Sequence, residues 1–289
     1  MQKAEYLKAI EAAIIGSAIS AELYPIYAIG RILPFKSTRY LFHADEYLHI
    51  KGKEAWAATK SNPHTRNVFD TVVASSEKDE PTLTEQEAVI EAGNLILAGT
   101  DTTANTLTYM IYSVLADPSL QQSLVKELAT VEEPLTDAKL ETLPLLNAVM
   151  EETLRLYCAA PASEPRIVPA GGSTFSYFHF PAGTTVSVQP WSLHRRAELF
   201  PNPEVFDVGR WLDPARANDA ARNAMMPWGG GSRICLGMHL ARMELRLATA
   251  VFFRKLGGAK LAGSTTKESM RVENRFLIAP VGHKCEIVA

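Results

Sequence analysis

The chain has 289 residues, of which 47% are hydrophobic, so it is long enough to bury a large core. Its 29 basic and 32 acidic residues give a net charge of −3, which argues against a nucleic-acid-binding protein. The three cysteines, Cys158, Cys235 and Cys285, are far apart and odd in number, so neither a disulfide framework nor a CxxC zinc site is indicated.

The first 60 residues are predicted to be helical, because apolar side chains recur there at helical spacing. Pro25 and Pro34 interrupt this pattern. From Ser75 to Pro81 the composition becomes polar and charged, which predicts a loop. Thr84 and Glu87 then form a capping box, which predicts the start of a helix.

This long helix is predicted over Glu85–Ala116, since Asp117-Pro118 stops it and caps the next helix. Its centre reads Ala98-Gly99-Thr100-Asp101-Thr102-Thr103, a set that is locally unfavourable in a helix, where glycine costs about 1 kcal/mol against alanine. Such a conflict between local preference and secondary structure is typical of a functional site. The alternative is a solvent-facing polar patch with a packing glycine.

Two further helices are predicted, one from Pro118 to about Val131 and one that begins at Leu143-Pro144 and ends near Tyr157. The second holds Glu152 and Arg155, which are three residues apart and share one face of the helix. On spacing alone, this pair fits a surface ion pair of small energy.

The composition then changes to prolines, glycines and short β-rich runs, with strands predicted over Ser173–Phe180 and Thr184–Gln189. After Leu256, apolar runs around Arg271–Ile278 and Cys285–Val288 are separated by Pro280 and Gly282. These two runs predict a terminal hairpin.

The stretch from Pro227 to Gly237 places three consecutive glycines and then Cys235 before a helix predicted to reach Leu256. Glycines let a backbone pass close to a flat ligand, and unpaired amides at a helix start, with Arg233, stabilise negative charge on the sulfur. A thiolate binds soft or borderline metals. The alternative for a lone cysteine is a small buried hydrophobic residue.

Four motifs together resemble the cytochrome P450 family. Trp228-x-x-Gly231-x-Arg233-x-Cys235-x-Gly237 is similar to its heme-binding loop, with Trp in place of the usual Phe. Ala98-Gly99-x-Asp101-Thr102-Thr103 resembles its oxygen-activation motif. Glu152-x-x-Arg155 matches a signature of the next helices, and Phe206 to Trp211 resembles the segment that supplies a third partner, Arg210. The motifs occur in the family's order.

The resemblance implies a mainly α fold with small β-sheets (α+β), the C-terminal portion of the cytochrome P450 fold of a eukaryotic, microsomal-like and fungal-type member. We expect a single domain over residues 1–289. Its parts are residues 1–80 (helices before the distal helix), 81–160 (distal helix to the Glu-x-x-Arg helix), 161–215 (β-rich and irregular) and 216–289 (heme-thiolate loop, following helix and hairpin).

The resemblance also implies heme b as the cofactor, with Cys235 as the axial thiolate ligand of the iron. In this family such a ligand pushes electron density to the iron and favours cleavage of the O–O bond. Gly231 and Gly237 would let the loop approach the porphyrin, and Trp228 would cover the sulfur. By resemblance, the remaining groups near the heme are Arg233 and Arg166 as partners of the propionates and His194 as a polar group near the heme edge.

On the distal side, Asp101 and Thr102 would form an acid and alcohol pair that supplies protons during dioxygen reduction. Glu152, Arg155 and Arg210 would instead be structural, a buried network that is costly to break. The implied function is a heme-thiolate monooxygenase of secondary metabolism, which inserts one atom of dioxygen into an apolar small molecule.

The implied electron donor is a flavin-containing NADPH reductase. One observation from the residues themselves favours an acidic partner, because the stretch from Arg222 to Lys260 holds seven basic residues and one acid, Glu244. The basic residues are Arg222, Arg233, Arg242, Arg246, Arg254, Lys255 and Lys260. An ordinary solvated helix face is the alternative. By resemblance, the substrate pocket is lined by Glu91–Ala98, Ala159–Glu164 and Arg275–Ile278.

The family's N-terminal region is expected to be absent from this sequence. The run between Glu11 and Glu22 is too short to cross a bilayer and lacks a basic leader. Full-length relatives are expected on the cytoplasmic face of the endoplasmic reticulum membrane, and this chain in the cytoplasm or peripherally bound. Two alternatives stay open: a non-catalytic remnant that binds heme poorly or not at all, and a heme-thiolate isomerase or dehydratase, against which the intact Asp101-Thr102 pair argues.

Overall fold

The computed structural model describes residues 2–61, 67, 69, 83–216 and 219–289. Within these ranges the chain is mainly helical with small two-stranded antiparallel sheets, which confirms the predicted fold class. The described residues divide into two compact units, Met1–Thr102 and Thr103–Ala289. The single domain predicted for the whole chain stays a prediction, and the predicted loop Ser75–Pro81 lies outside the described residues.

The first unit opens with helices that pack around the first of them. They are α1 (Gln2–Glu22), α2 (Tyr24–Ile32), α3 (Lys36–Phe42) and α4 (Ala44–Ser61). The two prolines lie at the predicted breaks, Pro25 in the first turn of α2 and Pro34 between α2 and α3. Proline is tolerated in a first turn because the N–H groups there have no acceptor within the helix. Small side chains, Ala12, Ala13 and Ala44, form the buried centre of this unit and let its helices approach closely.

The long helix α5 (Glu85–Leu115) agrees with the prediction to within one residue. Its capping box forms as predicted: the Thr84 N–H donates to Glu87 Oε2 at 2.7 Å, and the Glu87 N–H donates to Thr84 Oγ1 at 3.2 Å. Gly52 brings α4 against α5, since a Cβ at Gly52 would lie only 2.1 Å from the Val89 carbonyl oxygen. No larger residue fits this crossing.

The second unit contains the C-terminal part of α5 and further helices. These are α6 (Pro118–Ala129), α7 (Asp137–Leu140), α8 (Pro144–Leu156), α9 (Pro190–Leu193), α10 (Gly209–Leu212), α11 (Asp219–Ala224) and α12 (Met238–Lys255). Helices α5, α6, α8 and α12 enclose the main core, whose fully buried members include Met110, Leu124, Leu128, Met150 and Phe253. None of the helices in the described ranges combines the length and the apolar character needed to span a lipid bilayer.

The strands of the second unit pair in four antiparallel pairs among the described residues. They are β1 (Glu164–Ile167) with β4 (Thr185–Val188), β2 (Ser173–Phe175) with β3 (Phe178–Phe180), β5 (Lys260–Leu261) with β8 (Ile287–Val288), and β6 (Val272–Arg275) with β7 (Leu277–Pro280). The predicted single strand Ser173–Phe180 is wrong, because Ser176 takes a left-handed conformation (φ 56°) and turns the run into a hairpin.

The predicted terminal hairpin between the runs at Arg271–Ile278 and Cys285–Val288 is also wrong. The first run turns on itself at Phe276, whose φ is 83°, so β6 pairs with β7. The second run supplies β8, which pairs with β5 immediately after α12. The turn was hidden in the sequence because a phenylalanine, which rarely adopts positive φ, occupies it.

Candidate functional site

The glycine-rich loop before α12 folds back on itself and presents Cys235 at its end. Gly229 and Gly231 have φ values of +71° and +66°, a region that side-chain-bearing residues rarely adopt. The Cys235 N–H donates to the Trp228 carbonyl oxygen at 2.8 Å, which closes the loop. The Met238 N–H donates to the Cys235 carbonyl at 3.4 Å, so the cysteine lies immediately before α12.

The three cysteines differ in their environments. Cys235 is exposed, whereas Cys158 is buried and Cys285 is half-buried. Burial raises the pKa of the Cys158 thiol to about 12 and also raises the pKa of Cys285. Because burial disfavours the thiolate at both of these positions, Cys235 is the best placed of the three to offer a thiolate to a metal.

Exposed apolar side chains lie close to Cys235 in the sequence. Leu236 is 85% exposed, Leu240 55% and Ile234 49%, and these side chains belong to the loop or to the first turn of α12. At Gly230 and Gly231 a Cβ would meet no atom within 4 Å, so there is open space beside the backbone. Exposed apolar side chains next to an exposed thiol are typical of a ligand site.

Two guanidinium groups belong to the same region. Arg166 of β1 donates from Nη2 to the Gly230 carbonyl at 3.4 Å, which ties this strand to the loop. The same nitrogen lies 3.6 Å from the Glu164 carboxylate, and the Arg166 side chain remains 47% exposed. Arg233 is also exposed. Glu164 was not singled out from the sequence as a neighbour of the loop, but its Oε1 would lie 3.1 Å from a Cβ at Gly229.

The Trp228 ring packs against the main core, and its Nε1 is a buried donor with no hydrogen-bond partner among the described residues. Together, the exposed thiol, the open space at the glycines, the apolar rim and the two exposed guanidinium groups fit a flat apolar group that carries carboxylates. Heme has this chemistry. The residues that would hold it are Cys235 at the metal and Arg166 and Arg233 at the carboxylates, with Gly231 and Gly237 in the backbone beside it.

A second cluster of predicted residues lies in the core of the same unit, around the Glu152 carboxylate. Arg155 binds it through two bonds of 2.8 Å, and Arg210 donates from Nε at 3.2 Å. The backbone N–H of Asp207 donates at 2.8 Å and the indole N–H of Trp211 at 3.0 Å. Glu152 and Arg155 are fully buried, so the structure brings together Glu152, Arg155 and Arg210 as a closed network, and the surface-pair alternative is wrong.

Arg155 connects this network to the segment that leads toward the loop. Its Nη1 donates to the carbonyls of His194 at 2.9 Å and Pro203 at 2.7 Å. The His194 ring contacts the Arg155 carbonyl through Nδ1 at 3.1 Å, and its Nε2 accepts the Met226 N–H at 3.0 Å. Burial lowers the pKa of His194 to about 4. Both ring nitrogens of His194 are therefore bound to backbone groups beside the network, and its position near a heme edge stays a prediction.

Sequence reasoning missed Trp211 and the Asp207 N–H as partners of Glu152. The signal was available in part, because Trp211 directly follows Arg210 and an indole N–H needs an acceptor when it is buried. The backbone N–H of Asp207 could not be found from residue types, since any non-proline residue supplies the same donor.

Asp101 and Thr102 of the distal motif lie on α5, at the end of the first unit. Thr102 Oγ1 donates to the Ala98 carbonyl at 2.7 Å, one turn earlier in the helix. Gly99 is exposed, and a Cβ there would meet no atom within 4 Å, so open space borders the helix at this turn. Burial, followed by the charge of Glu11 on α1, raises the pKa of Asp101. The Asp101 carboxyl therefore keeps its proton to a higher pH than usual.

The basic stretch proves to be only partly available to a partner. Arg246 is buried and binds the Asp137 carboxylate through bonds of 2.6 and 2.7 Å. Arg242 pairs with Glu151, and Arg254 lies 3.3 Å from the Glu133 carboxylate. The expectation that all seven basic residues form one docking surface is wrong, because these three tie α12 to its neighbours. The other four basic residues, Arg222, Arg233, Lys255 and Lys260, are exposed.

Comparison with known proteins agrees with the four motifs. The family described as Cytochrome P450 matches residues 4–286. The chain is 40% identical to the cytochrome P450 monooxygenase cypX of Dothistroma septosporum, over 91% of this chain and 53% of the relative. It is 40% identical to the cytochrome P450 monooxygenase stcB of Emericella nidulans, over 91% of this chain and 51% of the relative.

Another relative, from Claviceps fusiformis, is named inactive cytochrome P450 monooxygenase cloA and is 41% identical over 57% of this chain and 33% of its own length. The chain spans about half the length of the first two curated relatives that it matches. The family match nevertheless covers nearly all of the residues, including the Cys235 loop, the Glu152 network and the distal motif. The chain therefore belongs to the cytochrome P450 family.

Proposed function

We propose that the protein is a heme-thiolate monooxygenase that inserts one atom of dioxygen into an apolar small molecule of secondary metabolism. The observation that carries this proposal is the Cys235 loop, whose exposed thiol lies among apolar side chains, open backbone and exposed guanidinium groups. Family membership supplies the identity of the cofactor, heme b. When bound, the heme would supply the activation of dioxygen, and Cys235 would hold it through its sulfur.

In this proposal the residues of the loop bind and orient. Cys235 supplies the sulfur ligand, and the left-handed conformation of Gly231 keeps the backbone flat beside the ring. Arg166 and Arg233 bind the propionates, for which a planar guanidinium is suited. Arg166 would exchange its contact with Glu164, at 3.6 Å, for a propionate oxygen. Trp228 shields the sulfur from water.

Asp101 and Thr102 hold and transfer protons. The raised pKa of Asp101 means that its carboxyl can carry a proton near neutral pH more often than an ordinary aspartate does. The Thr102 hydroxyl, now bonded to the Ala98 carbonyl, is one residue away and can pass a proton by rotating about its χ1 bond. That Asp101 and Thr102 act at the same site as Cys235 is inferred from family membership.

The proposed electron donor is a flavin-containing NADPH reductase, and the exposed cations Arg222, Lys255 and Lys260 would contact its acidic surface. The proposed substrate is apolar because Ala159–Glu164 and Arg275–Ile278, which line the pocket in this interpretation, include alanines, leucine, isoleucine and phenylalanine.

The first experiment is an absorption spectrum of the reduced, carbon-monoxide-bound chain reconstituted with heme. We expect the Soret position of a thiolate-ligated heme in the parent chain and its loss in Cys235→Ala. Cys158→Ala and Cys285→Ala are matched controls that should keep the band, since burial disfavours a thiolate at both positions. A thiolate-type band in Cys235→Ala would show that the ligand assignment is wrong.

A second experiment separates proton supply from heme binding. Thr102→Ala should leave the spectrum unchanged but uncouple oxygen consumption from product formation, because a proton donor is lost while the ligand remains. Thr108→Ala is a matched control, since Thr108 also bonds the carbonyl four residues earlier in the same helix, at 2.8 Å, but lies outside the motif. Equal coupling in Thr102→Ala and Thr108→Ala would contradict the proposed role of Thr102.

The second candidate is that the chain is non-catalytic and that these motifs only stabilise its fold. It is favoured by one observation, namely that a relative 41% identical over 57% of this chain is named inactive. The two candidates are separated by the spectrum above. Heme bound through Cys235 together with product formation supports the monooxygenase, and a chain that binds no heme supports the second candidate.

A further inference from the structure

A small cavity lies in the second unit, between the segment that follows α9 and the helices α10 and α11. Its volume is about 260 Å³, and it is lined by residues from 198–201, 210–211, 215–216 and 221–222. None of these residues belongs to the Cys235 loop. We call it the α10–α11 cavity. Sites for drug-sized ligands measure about 300–1,000 Å³, so this cavity fits a smaller molecule.

One wall of the α10–α11 cavity is apolar and well packed. Phe200 and Ala221, which are 2% and 5% exposed, belong to one small buried cluster, and Leu199 and Trp211 pack against it. The Phe200 and Trp211 rings lie 6.5 Å apart between centroids and are tilted by 46°. Because aromatic side chains offer a large apolar contact area, this wall suits the carbon skeleton of a ligand.

The rest of the lining is rich in positive charge, with arginines at three positions and one carboxylate, that of Glu198. The arginines are Arg210, Arg216 and Arg222. Arg216 is paired with Asp207. The Glu198 carboxylate lies 3.5 Å from Arg196 Nε, and its side chain is 73% exposed. Arg222 is exposed and makes no ion pair with any residue in the described ranges. The cavity therefore keeps an unneutralised cation at its margin.

Arg210 connects the α10–α11 cavity to the Glu152 network. Its side chain is only 6% exposed. Its Nε donates to Glu152 at 3.2 Å and its Nη2 donates to the Asn202 carbonyl at 2.9 Å, but Nη1 donates to no group in the part of the chain that the structure describes. Arg155 shares the same Glu152 carboxylate, so two guanidinium groups meet one negative charge. An anion in the cavity would supply both the missing acceptor and the missing charge.

We propose that the α10–α11 cavity binds a small organic carboxylate with an apolar body, such as an aromatic acid. The carboxylate would accept hydrogen bonds from Arg210 Nη1 and from Arg222, since a planar guanidinium suits a carboxylate. The apolar body would pack on Phe200 and Trp211. This site lies outside the heme site and its occupation requires no heme, so its test is separate from that of the monooxygenase.

The test is isothermal titration calorimetry of the full chain with benzoate, acetate and benzyl alcohol. We expect saturable binding of benzoate with a dissociation constant of about 0.1–1 mM, a strength that a ligand of this size can reach. Acetate lacks the ring and benzyl alcohol lacks the charge, so each should bind at least about tenfold more weakly.

Three results of these titrations would overturn the proposal. A parent chain without saturable benzoate binding up to about 10 mM has no such site. Acetate that binds as tightly as benzoate would mean that charge alone is recognised. Benzyl alcohol that binds as tightly as benzoate would mean that the guanidinium groups take no part.

Substitutions then locate the bound benzoate. Arg222→Gln should weaken binding at least about fivefold, because a charge-assisted hydrogen bond is lost at an exposed position. Ala215→Phe should abolish it, since the exposed Ala215 lines the cavity and a ring there would fill it. Arg233→Gln is the matched control, because it removes another exposed guanidinium of the second unit that does not line the cavity. A loss in Arg233→Gln as large as in Arg222→Gln would place the benzoate at the Cys235 loop and overturn the proposal.

Glu198→Gln gives a measurement in which binding is gained, so a folding defect cannot imitate it. The change removes the only carboxylate of the lining and should tighten benzoate binding about twofold, the size expected of an exposed charge. Glu268→Gln, in an exposed pair with Arg271, is the control and should bind benzoate as the parent chain does. Unchanged or weaker binding in Glu198→Gln would overturn the placement of the carboxylate in the α10–α11 cavity.

Discussion

The second unit contains the Glu152 network and the Cys235 loop, which differ in their hydrogen-bond partners. The carboxylate of the network is satisfied by other residues of the chain, whereas the loop leaves groups that a ligand could contact. The Glu152 carboxylate accepts five hydrogen bonds from Arg155, Asp207, Arg210 and Trp211, and none of these bonds needs a ligand. The Cys235 loop has an exposed thiol and open space beside its glycines. Its neighbour Trp228 keeps a buried N–H without a partner among the described residues.

This difference indicates that the network stabilises the fold and that the loop binds a ligand. A buried charge is tolerated only where its hydrogen bonds are satisfied, so the Glu152 network has one arrangement and fixes the segment that precedes the loop. A loop that must accept a cofactor needs surface that the chain itself does not fill. Substitutions in the network should therefore lower the free energy of unfolding strongly, and substitutions in the loop should hardly change it.

Glu152→Gln should give the largest loss. The amide cannot neutralise Arg155 and Arg210, which would be left as buried charges, so we expect the free energy of unfolding to fall by about 3–5 kcal/mol. Urea unfolding followed by circular dichroism measures it. Glu268→Gln is the control, since its pair with Arg271 is exposed on both sides, and it should cause no measurable change. A loss at Glu152 no larger than at Glu268 would mean that the network is not closed.

His194 should make stability depend on pH. Its pKa is about 4 in the folded chain and about 6.5 when unfolded, so between these values the unfolded chain binds a proton that the folded chain does not. The free energy of unfolding should fall by on the order of 3 kcal/mol as pH drops from about 6.5 to about 4, with no further loss from this group below that range. Unfolding curves across this range measure the slope.

His194→Gln should lessen that slope, because the titrating group is gone, although the variant itself is less stable at neutral pH. His179→Gln is the matched control at an exposed position and should keep the parent slope. If His194→Gln and the parent chain lost stability equally on acidification, His194 would not be the group responsible.

Asp137→Asn tests an intermediate case, in which a buried arginine meets a half-buried carboxylate. Asp137 accepts two bonds from Arg246, and the hydrogen bonding of Arg246 lowers the pKa of Asp137. We expect a loss of about 1–3 kcal/mol in the free energy of unfolding, since Arg246 keeps one hydrogen bond but loses its counter-charge. Glu141→Gln is the control, because its oxygen lies 3.9 Å from Arg246 and its side chain is 68% exposed. Similar losses for the two variants would show that the bidentate geometry is unimportant.

The sequence was sufficient for the long helices and for the four motifs, because both are local, but it did not predict the short helices α7, α9, α10 and α11. Capping by Thr84 and Asp117 depends on residues within three positions, and the structure shows both caps. The motif spacing also predicted that Glu152 and Arg155 could share a face, and the structure shows that this face is buried.

What the sequence did not provide depends on contacts between distant segments. The partner of β8 is β5, which no local pattern identifies. The sequence predicted that Arg246 is a surface cation. In the structure it binds Asp137, which is 109 positions away in the sequence. The contacts of the His194 ring with the backbone groups of Arg155 and Met226 were also not predicted, since these residues are 39 and 32 positions away. Residue type alone does not reveal which partner a polar group finds.

The smallest effect on stability should come from the residue with the largest expected effect on function. Cys235→Ser should change the free energy of unfolding of the heme-free chain by less than about 0.5 kcal/mol, because the side chain is exposed and supports no packing. Cys158→Ser is the matched comparison and should lose about 1–3 kcal/mol, since it buries a hydroxyl at a site that is 3% exposed. Urea unfolding measures both. Equal losses would show that the Cys235 loop is already closed by the chain and holds no space for a cofactor.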